Sequence, residues 1–337
     1  MTASDSHRGL GWAHGALTVQ RLGAMLAPLT FVLPNGRQVS PMHVAPWAEE
    51  PGSDALPGIL RKLRGEWPCV PFGYSVPGEG YTPEWAGLMH AAAPQEEVHG
   101  HSSNALWNWE IADGRHLKLS IAYPADSPVD RLERTITPDP TKPAVDIELK
   151  IRVRADCRLP LGLHATFRLP ADPFGACIEP GKFSEGRTYP GTVERDAPLF
   201  AIDRGFTSLT AVPGRDGNLV DASRVPFAMD TEELLQLNNL GSVALTNEAE
   251  SYRVRLTWQQ EHFPSLLLWM SNRGRKMAPW NGRHLALGLE PICSPFGLGL
   301  ATALADNPIA RAGTLTARSF SAHEDFVTRY RLEAEAL

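Results

Sequence analysis

The sequence lacks the features that mark several large classes of protein. Its longest apolar runs, 266–270 and 298–305, fall far short of the ~20 residues that a membrane-spanning helix needs. The first residues show no apolar core of a signal peptide. The formal net charge of −6 over 337 residues includes no basic surplus of the kind that binds nucleic acid. We therefore expect a cytoplasmic protein that contacts neither nucleic acid nor a membrane.

Cysteines are few and isolated, which excludes two further classes. None of the four lies in a CxxC pair or has a zinc-finger spacing, so neither a metal knot nor a disulfide framework is indicated. Buried free thiols are the expected state. The four are Cys69, Cys157, Cys177 and Cys293.

Long helices are also poorly supported by the composition. Glycine and proline, 29 of each, interrupt the chain often and are typical of short strands joined by turns. The clearest helical pattern runs from Glu84 to Ala93 and stops at Pro94. The segment 230–237 is compatible with either a helix or a strand.

Alternation of apolar and polar residues is the strongest positive signal. It runs without a break from Val145 to Arg154 and returns at 252–258 and 117–123. The turn sequence 34–36, Pro-Asn-Gly, indicates a hairpin near the N-terminus. We predict an all-β, antiparallel protein with few short helices, in which residues 1–337 form a single β-sandwich domain that includes N-terminal strands within 15–60.

Two predicted strands carry titratable groups beside small residues. His164 shares a polar face with Gly162 and Thr166, and Glu290 follows Gly288 on the face opposite three leucines. Such rows suit the floor of a cleft, where an acid and a base could act on opposite sides of one small molecule. Taken one at a time, the histidine could equally be structural and the glutamate an ordinary surface charge.

Other polar residues are candidates for binding. His99 and His101 would point the same way on a strand, which suggests a metal site whose third ligand must come from elsewhere in the chain. The alternatives are a pair of histidines that hydrogen-bond a polar ligand, or a polar loop. We expect no metal there. Arg64 could orient a ligand through paired hydrogen bonds or form a surface salt bridge. The basic turn 271–276 could meet a phosphate or be solvated.

Taken together and in order, these segments resemble the aldose 1-epimerase (galactose mutarotase-like) superfamily, nearest its hexose-6-phosphate mutarotase branch. The matching segments run from residue 64 to residue 297, and their shared order is more specific than any one of them. The motifs are Arg64-Gly65 with Pro68-Cys69 and Pro71-Phe72-Gly73, His99-Gly100 with Trp107, Leu163-His164-Ala165-Thr166-Phe167, and Leu289-Glu290-Pro291.

The resemblance implies a β-supersandwich with a concave sugar-binding face. It implies His164 as general acid and Glu290 as general base, with His99 and Arg64 binding the sugar. The substrate-binding Asp of many members is not evident, and Asn238 or Asn239 could bind hydroxyls instead. The remaining candidate contacts are His101 and Trp107.

The implied reaction is interconversion of the α and β anomers of a sugar or sugar phosphate. One group takes the proton of the anomeric hydroxyl while another protonates the ring oxygen, so no metal, nucleotide, other cofactor or covalent intermediate is needed. We expect the two side chains to flank the ring across about 5–8 Å, with Arg64, His99 and a tryptophan at the same cleft. The alternative is a non-catalytic carbohydrate-binding protein of the same fold. Either would be a monomer or a homodimer.

Overall fold

Antiparallel strands dominate the computed structural model, which describes residues 6–74, 80–89, 97–194, 198–322 and 324–337. Strands account for 46% of residues and helices for 10%. The all-β class and the low helix content are therefore confirmed. Within the described ranges, no helix is long and apolar enough to cross a membrane.

The strands are numbered in chain order. They are β1 (His7–Trp12), β2 (Gly15–Gln20), β3 (Leu26–Val32), β4 (Gln38–Val39), β5 (Glu66–Cys69), β6 (Asn108–Ala112), β7 (Leu117–Ala122), β8 (Val129–Pro138), β9 (Ala144–Val153), β10 (Cys157–Leu159), β11 (Leu161–Arg168), β12 (Ala176–Pro180), β13 (Glu185–Thr188), β14 (Gly205–Phe206), β15 (Val212–Pro213), β16 (Leu219–Val220), β17 (Arg224–Val225), β18 (Thr231–Asn238), β19 (Ser242–Asn247), β20 (Tyr252–Trp258), β21 (Ser265–Asn272), β22 (Leu285–Cys293), β23 (Arg318–Phe320) and β24 (Asp325–Ala336).

The helices are short. The α-helices are α1 (Pro83–Met89), α2 (Gly100–Asn104), α3 (Gly299–Leu304) and α4 (Pro308–Arg311), and 3₁₀ turns cover Ser53–Ala55, Gly58–Arg61 and Leu209–Ala211.

Two large sheets contain most of the strands. The first has 11 strands in the order β1-β2-β3-β5-β11-β22-β21-β18-β13-β14, with β4 paired to β3. The second has nine, in the order β17-β12-β19-β20-β24-β9-β8-β7-β6. The N-terminal strands β1 to β4 thus belong to the first sheet. That residues 1–337 form one domain stays a prediction.

The two faces of the first sheet meet different apolar clusters. Inward-facing residues of β11 and β22, such as Leu163 and Leu289, pack in a large core with residues of the second sheet. Residues on the opposite face, such as Trp67 and Trp269, belong to a separate buried cluster with α1, α4 and the 3₁₀ turn Gly58–Arg61. Because side chains alternate along each strand, the same strands build both clusters. His164 and Glu290 lie on this second face.

Most local predictions from the sequence are confirmed. The alternating segment 252–258 is β20, and 145–154 differs from β9 by one residue at each end. The predicted hairpin pairs β3 with β4. The ambiguous segment 230–237 forms a strand from Thr231 onwards, which is β18. The predicted helix is described only as far as Met89 in α1, and residues 90–94 lie outside the described residues.

All four cysteines are free. Cys69 and Cys293 are buried, whereas Cys157 and Cys177 are only half-buried. Two of the thiols are therefore more exposed than expected.

Candidate active site

Strand register brings His164 and Glu290 together. Strands β11 and β22 pair so that Thr166 lies opposite Gly288. Two residues further along, the same register places His164 opposite Glu290, and His164 Nε2 is 3.5 Å from Glu290 Oε1. The expected separation of about 5–8 Å is wrong. Directly opposed residues on neighbouring strands have Cβ atoms only ~5 Å apart, so their side chains touch and lie side by side.

Aromatic rings hold the imidazole of His164 in place. Trp67 on β5 lies opposite His164 in the sheet and stacks on its ring, with centroids 4.1 Å apart and an angle of 14° between the planes. Trp269 on β21 meets the same ring edge-on at 5.6 Å. His164 Nδ1 is 3.2 Å from the hydroxyl of Thr166. The ring therefore contacts two tryptophans, and one of its nitrogens lies within hydrogen-bond distance of a hydroxyl.

A glycine makes room for the carboxyl group of Glu290. A Cβ atom built on Gly288 would lie 2.4 Å from Glu290 Oε1 and 2.9 Å from the Cβ of Trp269. Both distances are shorter than van der Waals contact allows. The absence of a side chain at Gly288 is thus needed for the observed position of the carboxyl group.

Burial favours the uncharged form of both groups. Desolvation raises the pKa of Glu290 well above its ordinary value. Desolvation, followed by the influence of His99, lowers the pKa of His164 well below its ordinary value. Burial therefore favours a protonated carboxyl group beside a neutral imidazole.

The pair lies at a cavity of about 660 Å³, which is within the usual range for small-molecule sites. Among the described residues, its polar lining consists of Arg61, Glu97, His99, Asn104, Arg275 and the pair itself. The rest of the lining is largely apolar or aromatic. It includes Pro57, Ile59, Leu60, Leu63, Tyr74, Val98, Leu234, Leu267, Trp269 and Trp280.

His99 lines this cavity close to His164. The two rings are 5.0 Å apart and nearly perpendicular. The backbone N–H of Gly73 donates to His99 Nδ1 at 3.3 Å, and burial lowers the pKa of His99 to about 4. The neutral ring therefore carries its hydrogen on Nε2, where it can be donated to a ligand oxygen.

Arg64 and Trp107 are not among the described residues that line the cavity. The guanidinium of Arg64 binds the carboxylate of Glu49 and the carbonyl of Lys62 in a different surface depression. Trp107 is fully buried in the core between the sheets, and its Nε1 donates to the carbonyl of Ser102 at 2.8 Å. Both side chains are committed to intramolecular contacts.

The two asparagines considered for hydroxyl binding also lie elsewhere. Asn238 is completely buried, and its side-chain oxygen accepts hydrogen bonds from Gln236 and Ser265. Asn239 lines a separate depression and donates to the hydroxyl of Ser184 at 2.8 Å. This placement contradicts the expected contact of Asn238 with a ligand, because its polar groups already have protein partners.

His101 does not share the direction of His99, contrary to the strand geometry assumed for the pair. His99 directly precedes α2 with a positive φ of 60°, and His101 lies within that helix. The ring of His101 lies 5.1 Å from that of Tyr123, and its Nδ1 is 3.7 Å from Glu97. No group of three or more potential metal-ligating side chains occurs in the part of the chain that the structure describes.

Sequence reasoning missed one wall of the cavity. Trp269 Nε1 donates to Glu232 at 2.6 Å, and Arg275 Nε lies 3.2 Å from the same oxygen. Arg275 also stacks over the ring of Trp280 at 4.6 Å. Within the apolar run 266–270, no polar residue indicates which side chains face the cavity, so Trp269 was not predicted there. Arg275 lies in the basic turn 271–276, which the sequence did indicate as a candidate.

The fold that carries this pair is that of the galactose mutarotase-like proteins. No protein-family model matches the sequence, and a search of curated proteins found no match. The likeness comes from solved structures. A protein of Escherichia coli K12 proposed to be an aldose 1-epimerase superposes with a TM-score of 0.66 at 13% identity, over 98% of this chain and 99% of that chain.

Two further structures agree in fold. The aldose epimerase homologue from C. elegans has a TM-score of 0.64 and 15% identity, with 99% of each chain covered. A galactose mutarotase-related enzyme from Lactobacillus acidophilus has a TM-score of 0.61 and 11% identity, covering 98% of this chain and 97% of that one. At these identities the likeness establishes the fold alone.

Proposed function

We propose that this protein is an isomerase of the aldose 1-epimerase type, which interconverts the α and β anomers of a reducing sugar. The observation that carries the proposal is the contact of His164 with Glu290 at the cavity. The carboxyl group and the imidazole lie 3.5 Å apart, and burial favours the neutral form of each. Such a pair can exchange protons with a bound molecule.

Their side-by-side arrangement suits the anomeric centre. The ring oxygen and the anomeric hydroxyl are attached to the same carbon, so adjacent donor and acceptor groups can reach both from one side. One group accepts the hydroxyl proton while the other protonates the ring oxygen, and the ring opens. The free aldehyde then rotates, and the ring closes on its other face.

Which group acts first as the acid depends on which of the two carries the one proton of the pair before the sugar binds. The resemblance assigns the acid to His164 and the base to Glu290, whereas burial favours a protonated Glu290 beside a neutral His164 before a ligand binds. Ring closure reverses each transfer of ring opening, so each group serves once as acid and once as base in a full cycle. The pair needs one shared proton, and either starting arrangement supplies it.

His99 is proposed to bind the sugar, since its Nε2–H is available at the cavity. Arg61 is proposed to contact oxygens at another point of the lining. No step of the reaction requires a metal or cofactor. The cytoplasmic location and the monomeric or dimeric state stay predictions.

Replacing Glu290 by glutamine tests the proposal. The amide preserves the shape of the side chain but cannot take part in proton transfer, so Glu290→Gln should slow anomer exchange roughly a hundredfold or more. The rate is measured by polarimetry or NMR on anomerically pure sugars. The matched control is Glu335→Gln on the exposed end of β24, which should exchange at the wild-type rate.

Two outcomes would contradict the proposal. If the wild type binds sugars but does not accelerate exchange above the uncatalysed background, the protein is a non-catalytic carbohydrate-binding protein. If the wild type is active and Glu290→Gln retains its rate, the pair is not the proton-transfer machinery.

A further inference from the structure

We propose that the substrate is a deoxy sugar, which presents a CH₂ or methyl group instead of a hydroxyl to the side of the cavity formed by Leu234, Leu267 and Trp269. This side is called the leucine side below. The inference rests on the proposed epimerase function and names the substrate class of the same site.

Strand register determines what lies beside the reacting pair. On β21, Leu267 lies opposite Glu290, and Trp269 lies opposite Gly288. On β18, Leu234 lies opposite Trp269. All three of these apolar side chains line the cavity, whereas Trp67, on the other side of His164, is not among the described lining residues. A sugar ring above the pair therefore extends over the leucine side.

Two amides that the structure describes near the leucine side, those of Gln236 and Asn104, do not replace the hydrogen bonds that a sugar hydroxyl would lose there. Gln236 follows Leu267 in the same row of the sheet but is completely buried, and its amide donates to Asn238 and to the carbonyl of Ser294. Both donated hydrogen bonds are made to protein atoms, so this amide faces away from any ligand.

Asn104 lines the cavity but is similarly committed. Its side-chain oxygen accepts from the backbone N–H of Ile59 at 3.0 Å. Its amide nitrogen donates to the carbonyls of Val98 and Gly100, each at 2.8 Å. This asparagine therefore holds the loops around the cavity together and offers no free donor to a ligand.

Among the described residues near the leucine side, Arg275 and Glu232 contact each other. Arg275 approaches it, but its Nε lies 3.2 Å from Glu232 and its guanidinium stacks on Trp280. Glu232 in turn accepts from Trp269 and from the hydroxyl of Ser271. The indole N–H of Trp269 is thus engaged, so the groups that Leu234, Leu267 and Trp269 can present to a ligand are hydrocarbon.

The consequence is selectivity for an apolar ring edge. A hydroxyl pressed against leucine side chains loses its bonds to water without replacement, whereas a CH₂ or methyl group gains contact. An apolar pocket typically discriminates against an added hydroxyl by roughly tenfold to a hundredfold in kcat/KM. Hydroxyls on the opposite edge of the ring would meet His99.

Matched sugars test the inference on the wild-type protein. Exchange kinetics are compared for D-glucose, D-galactose and D-mannose, for the 2-deoxy and 6-deoxy analogue of each, and for glucose 6-phosphate. We expect at least one deoxy analogue to exceed its parent about tenfold or more in kcat/KM. The position of the missing hydroxyl identifies the ring edge that meets the leucine side.

The results separate failure of the inference from failure of the proposed function. If the parent sugars or glucose 6-phosphate exchange with the same kcat/KM as every deoxy analogue, the inference is wrong. The proposed epimerase function would still hold in that case. No exchange of any sugar would overturn the proposed function, and the inference with it.

A variant locates the selectivity. Leu234 is half-buried, and Leu234→Asn adds a donor and an acceptor to the leucine side, which should reduce the preference for the deoxy sugar about tenfold. Leu56 is half-buried in the same apolar cluster but is not among the described lining residues, so Leu56→Asn is the matched control and should leave the ratio unchanged. A folded Leu234→Asn protein with the wild-type ratio would overturn the role of this side. If that variant does not fold, the wild-type comparison still decides.

Discussion

The pKa values of His164 and Glu290 have a direct consequence for the pH dependence of the reaction. The active form of the pair carries one proton. Because the pKa of His164 is lowered, a second proton binds only well below pH 6.5, and because that of Glu290 is raised, the first proton is retained well above pH 4.5.

We therefore expect kcat/KM to stay level as the pH falls through 6.5 and to decline only in more acidic solution. The alkaline decline should follow loss of the proton from Glu290. A pH–rate profile of the wild type, with the uncatalysed rate subtracted at each pH, provides the measurement. A decline towards acid that is already half-complete near pH 6.5, as for an exposed histidine, would contradict the assignment.

The buried carboxyl group of Glu290 should also reduce the stability of the folded protein. In the unfolded chain this group ionises near its ordinary pKa, whereas in the folded chain it stays protonated to a higher pH. The free energy of unfolding therefore falls as the pH rises between these two pKa values, by about 1.4 kcal/mol per pH unit.

Glu290→Gln removes this penalty, so the variant should be more stable than the wild type by at least about 1 kcal/mol at neutral pH and equally stable below the ordinary pKa of glutamate. Urea denaturation at pH 4 and pH 7.5 measures the difference. The exposed variant Glu335→Gln should show no such pH-dependent gain. A Glu290→Gln protein that is less stable at neutral pH would argue against a buried, neutral carboxyl group.

At the scale of single elements, β22 combines a reactive residue with the space it needs. Gly288→Ala would place a methyl group against the carboxyl of Glu290 and the Cβ of Trp269. The flexible carboxyl is the part that can move, so we expect a loss of roughly tenfold or more in kcat/KM with the fold retained.

Gly9→Ala in β1 is the matched control, because its new Cβ would meet its nearest neighbour at an ordinary 3.6 Å. Exchange kinetics and far-ultraviolet circular dichroism are measured for both variants. An active Gly288→Ala protein would mean that the carboxyl position in the structure is not required for the reaction.

At the scale of the whole molecule, a buried ion pair joins the two large sheets. Glu66 on β5 binds Arg134 on β8, and the hydroxyl of Tyr330 on β24 donates to Glu66 at 2.7 Å. Burial is the largest influence on Glu66 and raises its pKa despite the nearby arginine. The next residue, Trp67, faces the opposite side of the sheet and stacks on His164, so this junction also supports the site.

Glu66→Gln should leave the guanidinium of Arg134 buried without its counter-charge and reduce the free energy of unfolding by about 3–5 kcal/mol. Asp325→Asn, which removes a partner of Arg152 on the surface, should have a much smaller effect. Thermal and urea denaturation compare the two variants. Equal effects would indicate that the junction between the sheets does not depend on this charge pair.

Some features of this protein could be predicted from short stretches of sequence. Alternation along β9 and β20 determines which residues face the core, because successive side chains of a strand point to opposite faces. The same rule placed His164 and Glu290 on the face away from their leucine neighbours. The turn at 34–36, which joins β3 to β4, is likewise a signal of the local sequence.

Only the tertiary structure decided how these elements meet. The register of β11 against β22 brings His164 into contact with Glu290. The 3₁₀ turn Gly58–Arg61 places Arg61 at the cavity, whereas the side chain of Arg64 binds Glu49 elsewhere. Residues far apart in the chain set these relationships, and no periodicity within one strand encodes them. For the same reason the side-chain oxygen of Asn238, a residue expected at the site, is hydrogen-bonded to buried neighbours instead of a ligand. The apolar Leu267, which the sequence did not single out, lies beside the reacting pair.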